Sequence, residues 1–352
     1  MPSFNSALLA ALSLPLIKLA HGQIFTVNCQ PLTIQRGDPI VNPGAISAHV
    51  HAVIGGTAFQ QTMGQDTAVN AKDTTCDKKI DKSNYWQPQL YHQNADGSFE
   101  LIHFQGAAAY YLNRACDYEE GLTRCAADFA PAAPPAGLRM VTGNPMPDPR
   151  NFRTIDESLF EHQAMQHVCL NADSSSQTYS LPKQSCDRMR AETFFPSCWD
   201  GVNLDSDNHS SHMAYPAIGT YDSGVCPESH PKAIFSVFYE FFYDTSAYKD
   251  FNKWVYAMGD PTGYGLHGDF INGWDQTALE AAIQTCSGPD GAYSPDCSIN
   301  KNAGSAVGFD PEIAAPAEEV GLNGPVAKLP GNNPVTMTPT MKRSSVAGRV
   351  KL

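Results

Sequence analysis

The sequence predicts a mostly β protein: an antiparallel β-sandwich or jelly-roll-like core with long disulfide-pinned loops and one or two short helices. Three observations carry this reading. Short runs of β-branched and aromatic residues recur without regular alternation with helical segments, which favours antiparallel sheets over βαβ units. Turn formers are abundant, with 27 Gly and 26 Pro among 352 residues, and only 17% of the chain is charged. Ten cysteines, an even number, lie between Cys29 and Cys297, as in an exported chain stapled by disulfides.

The strands follow from local composition. The run Ile234 to Tyr243 is aromatic and β-branched throughout and suits a central strand. Lys253 to Met258 is a second run, stopped by Gly259-Asp260-Pro261. Leu101 to Phe104, Ala109 to Leu112 and Leu138 to Thr142 are further strands, and Asn94-Ala95-Asp96-Gly97 reads as a hairpin turn. One helix is expected after Trp274, capped by Asp275, propagated by Thr277 to Ile283 and stopped by Gly288-Pro289. Short loops favour the pairs Cys116 with Cys125, Cys169 with Cys186, and Cys286 with Cys297, which leaves Cys29, Cys76, Cys198 and Cys226. No CxxC pair is present, so thiolate zinc sites are disfavoured.

Three parts are expected along the chain. Residues 1–22 read as an export signal, with an apolar run from Leu8 and small residues at Ala20 and Gly22. Residues 23–311 form a single β-rich domain. Residues 312–352, rich in Pro, Ala, Gly, Asn and Thr, form a disordered or extended tail. The protein is therefore expected to be secreted and monomeric. No later segment has the roughly 18 apolar residues of a membrane helix. A net charge of −13 repels phosphate backbones and excludes nucleic acid as a natural partner. The partner expected instead is a polysaccharide or cell-wall glycan.

Chemistry is expected where histidines cluster, because imidazole titrates near neutrality and is the commonest metal ligand. Five of eleven histidines fall in three short segments flanked by turn formers. His49-Val50-His51 places two imidazoles at i and i+2, on one face of a strand. Asp207 to His212 carries His209 and His212 beside the single glycosylation sequon, at Asn208. His267-Gly268-Asp269 sets a carboxylate beside an imidazole, a general acid/base pair, with Asp260 upstream. The catalytic candidates are His51, His212, His267, Asp269 and Asp260. The substrate-binding candidates are His49, Tyr85, Trp86, Arg139, Asp200, Tyr215 and Tyr264, the aromatic ones because their rings stack on sugars.

Several separated motifs resemble a fungal secreted family catalogued as domain of unknown function nineteen-ninety-six. They are Arg36 to Gly44, His49-Val50-His51 with Gly55-Gly56, Asp81 to Pro88, Pro135 to Met140, Cys198 to Gly201, Ser211 to Pro216 and His267 to Phe270. The resemblance runs from about Asp38 to Cys286. It implies an extracellular protein, and some members are joined to wall- or carbohydrate-binding modules.

Three functions follow. The first is a secreted hydrolase or lyase acting on polysaccharide by His/Asp acid–base catalysis, with no cofactor required. The second is a non-catalytic wall or carbohydrate-binding protein. The third is a metal protein with a divalent ion on His49, His51 and a third imidazole, His212, with His209 and His267 as the other choices.

Overall fold

The computed structural model describes residues 23–143, 156–286, 295–300, 304 and 313–336. The expected export signal and the end of the tail, from residue 337, lie outside them. Strands and bridges take 37% of the described residues and helices 6%, so the protein is mostly β, with its sheets arranged as a sandwich.

Eleven strands build the two main sheets: β1 (Gln23–Cys29), β2 (Pro31–Gln35), β3 (His51–Gly55), β4 (Asn84–Pro88), β5 (Phe104–Leu112), β6 (Arg139–Gly143), β7 (Met165–Asn171), β8 (Ser174–Thr178), β9 (Arg188–Phe194), β10 (Ser236–Asp244) and β11 (His267–Ile271). One sheet has the order β1-β5-β10-β9-β7-β8, the other β2-β3-β4-β11-β6. Every neighbouring pair in both is antiparallel.

The sheets face each other across an aromatic core containing Phe25, Tyr85, Tyr111, Tyr239, Phe241 and Phe270. Tyrosine hydroxyls on β10 reach across it: Tyr239 Oη donates to the carbonyl of Trp86 at 2.7 Å, and Tyr243 Oη to that of Pro88 at 2.9 Å. Buried hydroxyls need such partners, so these bonds fix the sheets in register.

The five-stranded sheet is buried on both faces. Alternation sends Ala52, Ile54, Tyr85 and Phe270 inward. Val53, Trp86, Val141 and Ile271 point outward into a second apolar cluster with Leu32, Ile40, Phe59 and Met63. The cover for that outer face comes from the long segment between β2 and β4, anchored by Cys29–Cys76. Its fixed loops are what position the site.

All five disulfides form: the three short-loop pairs, together with Cys29–Cys76 and Cys198–Cys226. The helix Gln276–Thr285 starts where expected, with Asp275 accepting from the amide of Ala278. Residues 313–336, within the expected tail, run through turns and single bridges and are tied to the domain. Val326 bridges Phe99, Glu318 pairs with Arg36 at 3.1 Å, and Asn333 Nδ2 donates to Ala48 and Ala257.

Candidate functional site

The site grows out of strand alternation on the outer face. On β11, Gly268 and Phe270 face the sandwich core, so His267, Asp269 and Ile271 face outward. Gly268 is required there. A Cβ at this position would lie 2.3 Å from Tyr239 Oη and 2.4 Å from Thr193 Cγ2. On β3, His51 shares the outer face with Val53. His49 arrives from the preceding loop, its ring centroid 4.4 Å from that of His51.

The result is a cluster of three imidazoles. One ring nitrogen from each of His49, His51 and His267 lies within 4.8 Å of the other two. His49 Nε2 and His267 Nε2 are 3.1 Å apart. Two nitrogens bound to one ion at about 2.0–2.1 Å, with a tetrahedral angle between them, are separated by roughly 3.3–3.4 Å, a few tenths of an ångström more than this spacing.

Backbone carbonyls set the tautomers. His51 Nδ1 lies 3.0 Å from the carbonyl of Gly37, and His267 Nδ1 lies 2.8 Å from that of Gly265. A carbonyl only accepts, so each Nδ1 carries the proton and each Nε2 presents a lone pair. This outer hydrogen bond is the arrangement that orients metal-ligating histidines. His51 Nε2 is buried with no hydrogen-bond partner among the described residues.

The electrostatics suit a cation. Burial, the neighbouring imidazoles and Arg36 hold His49 well below the ordinary histidine range; burial and His267 do the same to His51. Burial lowers His267 to about 4. All three rings are therefore neutral ligands at neutral pH. Asp269 is fully buried, and neither carboxylate oxygen has a hydrogen-bond partner among the described residues. Burial, and then Asp38, push its carboxyl well above the usual range. Asp38, only 2% exposed, accepts from the amides of Ile40 and Val41. Sequence reasoning passed over Asp38, although it sits beside the Gly37 whose carbonyl orients His51.

The cluster is sealed. His49 is 4% exposed, and His51, His267 and Asp269 are fully buried. Arg36 Nε donates to the carbonyl of Ser47 at 2.6 Å, which closes the loop leading to His49. Gln35 Nε2 and Asn333 Nδ2 tie that region to the C-terminal segment through Ala314 and Ala48.

Of the catalytic candidates, His51 and His267 come together and His49 joins them, while Asp269 lies two residues along β11 on the same outer face, outside the three-imidazole group. His212 does not join them, and the third imidazole is His267 instead. His212 Nε2 lies 2.7 Å from the carbonyl of Arg139, and its Nδ1 lies 3.0 Å from Ser206 Oγ. Both nitrogens are thus spent on loop structure, at the opposite end of β6 from the residue paired with His267. His209 Nδ1 bonds Asp205 at 2.9 Å, and Asn208 is exposed with its oxygen in a turn. Asp260 organises the turn after Gly259, accepting from Thr262, its hydroxyl and Gly265.

The expected aromatic platform is corrected. Tyr85 and Trp86 are fully buried, because both faces of β4 are covered: Tyr85 bonds Asp81 and Tyr111, and Trp86 fills the outer cluster. Arg139 pairs with Asp205 at 3.7 Å and donates to the carbonyl of Met63. Asp200 closes its own loop by accepting from Val202 and Asn203. Tyr215 Oη donates to the carbonyl of Phe194 at 2.8 Å. Tyr264, by contrast, lines an open cleft.

The family model described as Domain of unknown function (DUF1996) matches residues 38–274, and the chain belongs to that family. The match includes all three imidazoles, Asp38 and Asp269. No curated protein and no solved structure matches the chain.

Proposed function

We propose that this member of the DUF1996 family is a secreted metalloprotein that holds one divalent transition-metal ion on His49, His51 and His267. The observation that carries this reading is the convergence of three neutral imidazoles whose protons on two rings are fixed away from the shared point. Imidazole ligands suit zinc, copper, iron or nickel. Asp269, on the same face of β11, supplies the negative charge that a dication needs in a dry site. In the metal-free chain the His49 Nε2–H donates to His267 Nε2; binding requires His49 to present its own lone pair. Three protein ligands leave a position at which a bound ion can polarise a water or a carbonyl. The five disulfides support an extracellular setting.

Elemental analysis of untagged protein, dialysed against metal-free buffer, tests this. About one equivalent of a single transition metal is expected. Less than a tenth of an equivalent, with no uptake of zinc or copper on titration, removes the proposal.

The second reading is acid–base cleavage of a wall or extracellular polysaccharide, favoured by the outward-facing pair His267 and Asp269. It requires the cover over His49 to open. Release of reducing sugar, or of an unsaturated product, by chelator-treated protein distinguishes it from the metal reading.

A further inference from the structure

A separate cleft of about 770 Å³ lies at the end of the β7–β8 hairpin away from its turn. That volume is within the range of roughly 300–1,000 Å³ typical of small-ligand sites. Its lining combines three tyrosines, Tyr179, Tyr221 and Tyr264, with Gln166, Gln177 and Glu157. Among the described residues no Lys, Arg or His lines it, and one carboxylate, Glu157, does.

The rings are held in place before any ligand arrives. Tyr264 sits in the loop between Asp260 and His267. The Asp260 carboxylate accepts from Thr262 N at 2.7 Å and Gly265 N at 2.8 Å, on either side of that ring. The loop is also locked to the neighbouring wall by the bond from Leu181 N to the carbonyl of Thr262 at 2.8 Å. Gly263, at φ +87°, makes the closest approach: a Cβ there would lie 2.5 Å from Leu181 N. Tyr221 packs edge-on against Phe194 and receives a hydrogen bond from Gln166 Nε2 at 2.9 Å. Gln166 itself is only 3% exposed. Aromatic faces beside fixed amides suit a ligand with apolar ring faces and a hydroxylated rim.

We infer that this cleft binds a neutral oligosaccharide, whose sugar rings stack on Tyr264 and Tyr221 beside the Gln166–Gln177 amide pair. The inference gives the carbohydrate reading its binding face and does not depend on the metal ion. Tyr264 is joined to the imidazole cluster by one residue, since the carbonyl of Gly265 accepts from His267 Nδ1. Occupancy of the cleft therefore bears on the loop that orients a metal ligand.

Calorimetric titration of the full chain with cello-, laminari-, manno- and chito-hexaose, and with an oligogalacturonate as acidic control, tests the inference. Saturable binding of at least one neutral series is expected, and Tyr264→Ala should weaken it by about tenfold or more. Gln177→Ala, at an exposed position on β8, should weaken it without affecting folding. Overturning results are no binding of any neutral series at millimolar concentration, binding of the acidic control alone, or unchanged affinity in both variants. Because binding is read without turnover, failure here is separable from a failure of cleavage chemistry.

Discussion

His49 and His267 stand 218 residues apart in the chain, yet their Nε2 atoms are 3.1 Å apart in the fold. Two buried neutral imidazoles can share one proton at this distance, and His51 presents a third nitrogen with no hydrogen-bond partner among the described residues. An ion resolves all three sets of lone pairs at once. Replacing His51 and His267 together by alanine should abolish stoichiometric binding. In the native chain, zinc or copper at a thousandfold excess over Kd should add about 4 kcal/mol of stability. Thermal unfolding with and without the ion measures this, and an identical rise in the double variant would refute the assignment.

Asp269 makes a prediction with opposite signs in two states. Without an ion its buried carboxylate is uncompensated, and its raised pKa means that charge costs stability at neutral pH. Asp269→Asn should therefore raise the unfolding temperature of the chelator-treated protein while weakening metal affinity by about tenfold or more. Denaturation and competition titrations on the same preparation check both arms. A variant that loses stability and keeps its affinity contradicts a charge-compensating role.

Burial lowers two imidazoles to about 4: His267 in the cluster, and His167 against Tyr256 Oη. Their unfolded value is about 6.5. Between those values the unfolded chain takes up protons that the folded chain refuses, so stability is present above about pH 6.5 and is lost as pH falls towards 4. Each ring contributes a slope of about 1.4 kcal/mol per pH unit in that window. Urea unfolding of metal-free protein from pH 7 to pH 4 measures it. Buried carboxyls with raised pKa, Asp269 and Asp81 among them, take up protons in the folded state and oppose this slope, so the reading is the difference between variants: His167→Gln should remove one ring's share, and a His167→Gln profile parallel to the native one would mean that this imidazole charges freely in the folded state.

The parts of this fold legible from sequence were those governed by local rules. The Asp275 cap, the Asn94 to Gly97 turn and the short disulfide loops depend on neighbours close in the chain. His49 and His51 do meet, but not by strand alternation, since β3 begins at His51 and His49 reaches it from the preceding loop. The hairpin of β7 and β8 was missed because Ser174-Ser175-Ser176-Gln177-Thr178 has loop composition, and its pairing with Met165–Asn171 is what makes it a strand. Tyr85 and Trp86 misled for a related reason. An aromatic pair on a strand reads as half-exposed, whereas here the facing sheet buries Tyr85 and the segment between β2 and β4 buries Trp86. The choice of third imidazole was likewise non-local, since it depends on β11 lying beside β4 in the sheet, three strands from β2.

Gly268 separates His267 from Asp269 and lets the two sheets approach. In Gly268→Ala the new methyl would press on Tyr239 Oη and Thr193 Cγ2, displacing a hydroxyl bonded to the carbonyl of Trp86. Overpacking of this kind costs about 1–3 kcal/mol. β11 would have to move outward, so metal affinity should fall along with stability. Unchanged affinity in a destabilised Gly268→Ala protein would mean that the cluster tolerates displacement of its central strand.

His212 supplies the control that separates clustered from isolated histidines. Its two nitrogens hold the carbonyl of Arg139 and the hydroxyl of Ser206, which joins the loop after the short strand Cys198–Trp199 to the start of β6. In His212→Ala those contacts are lost in a buried place, at a cost of about 1–3 kcal/mol. No ligand of the proposed ion is touched. Metal stoichiometry should therefore equal that of the native chain, while the urea midpoint falls. If His212→Ala instead loses its metal while remaining folded by circular dichroism, the ion is held elsewhere and the three-imidazole assignment fails.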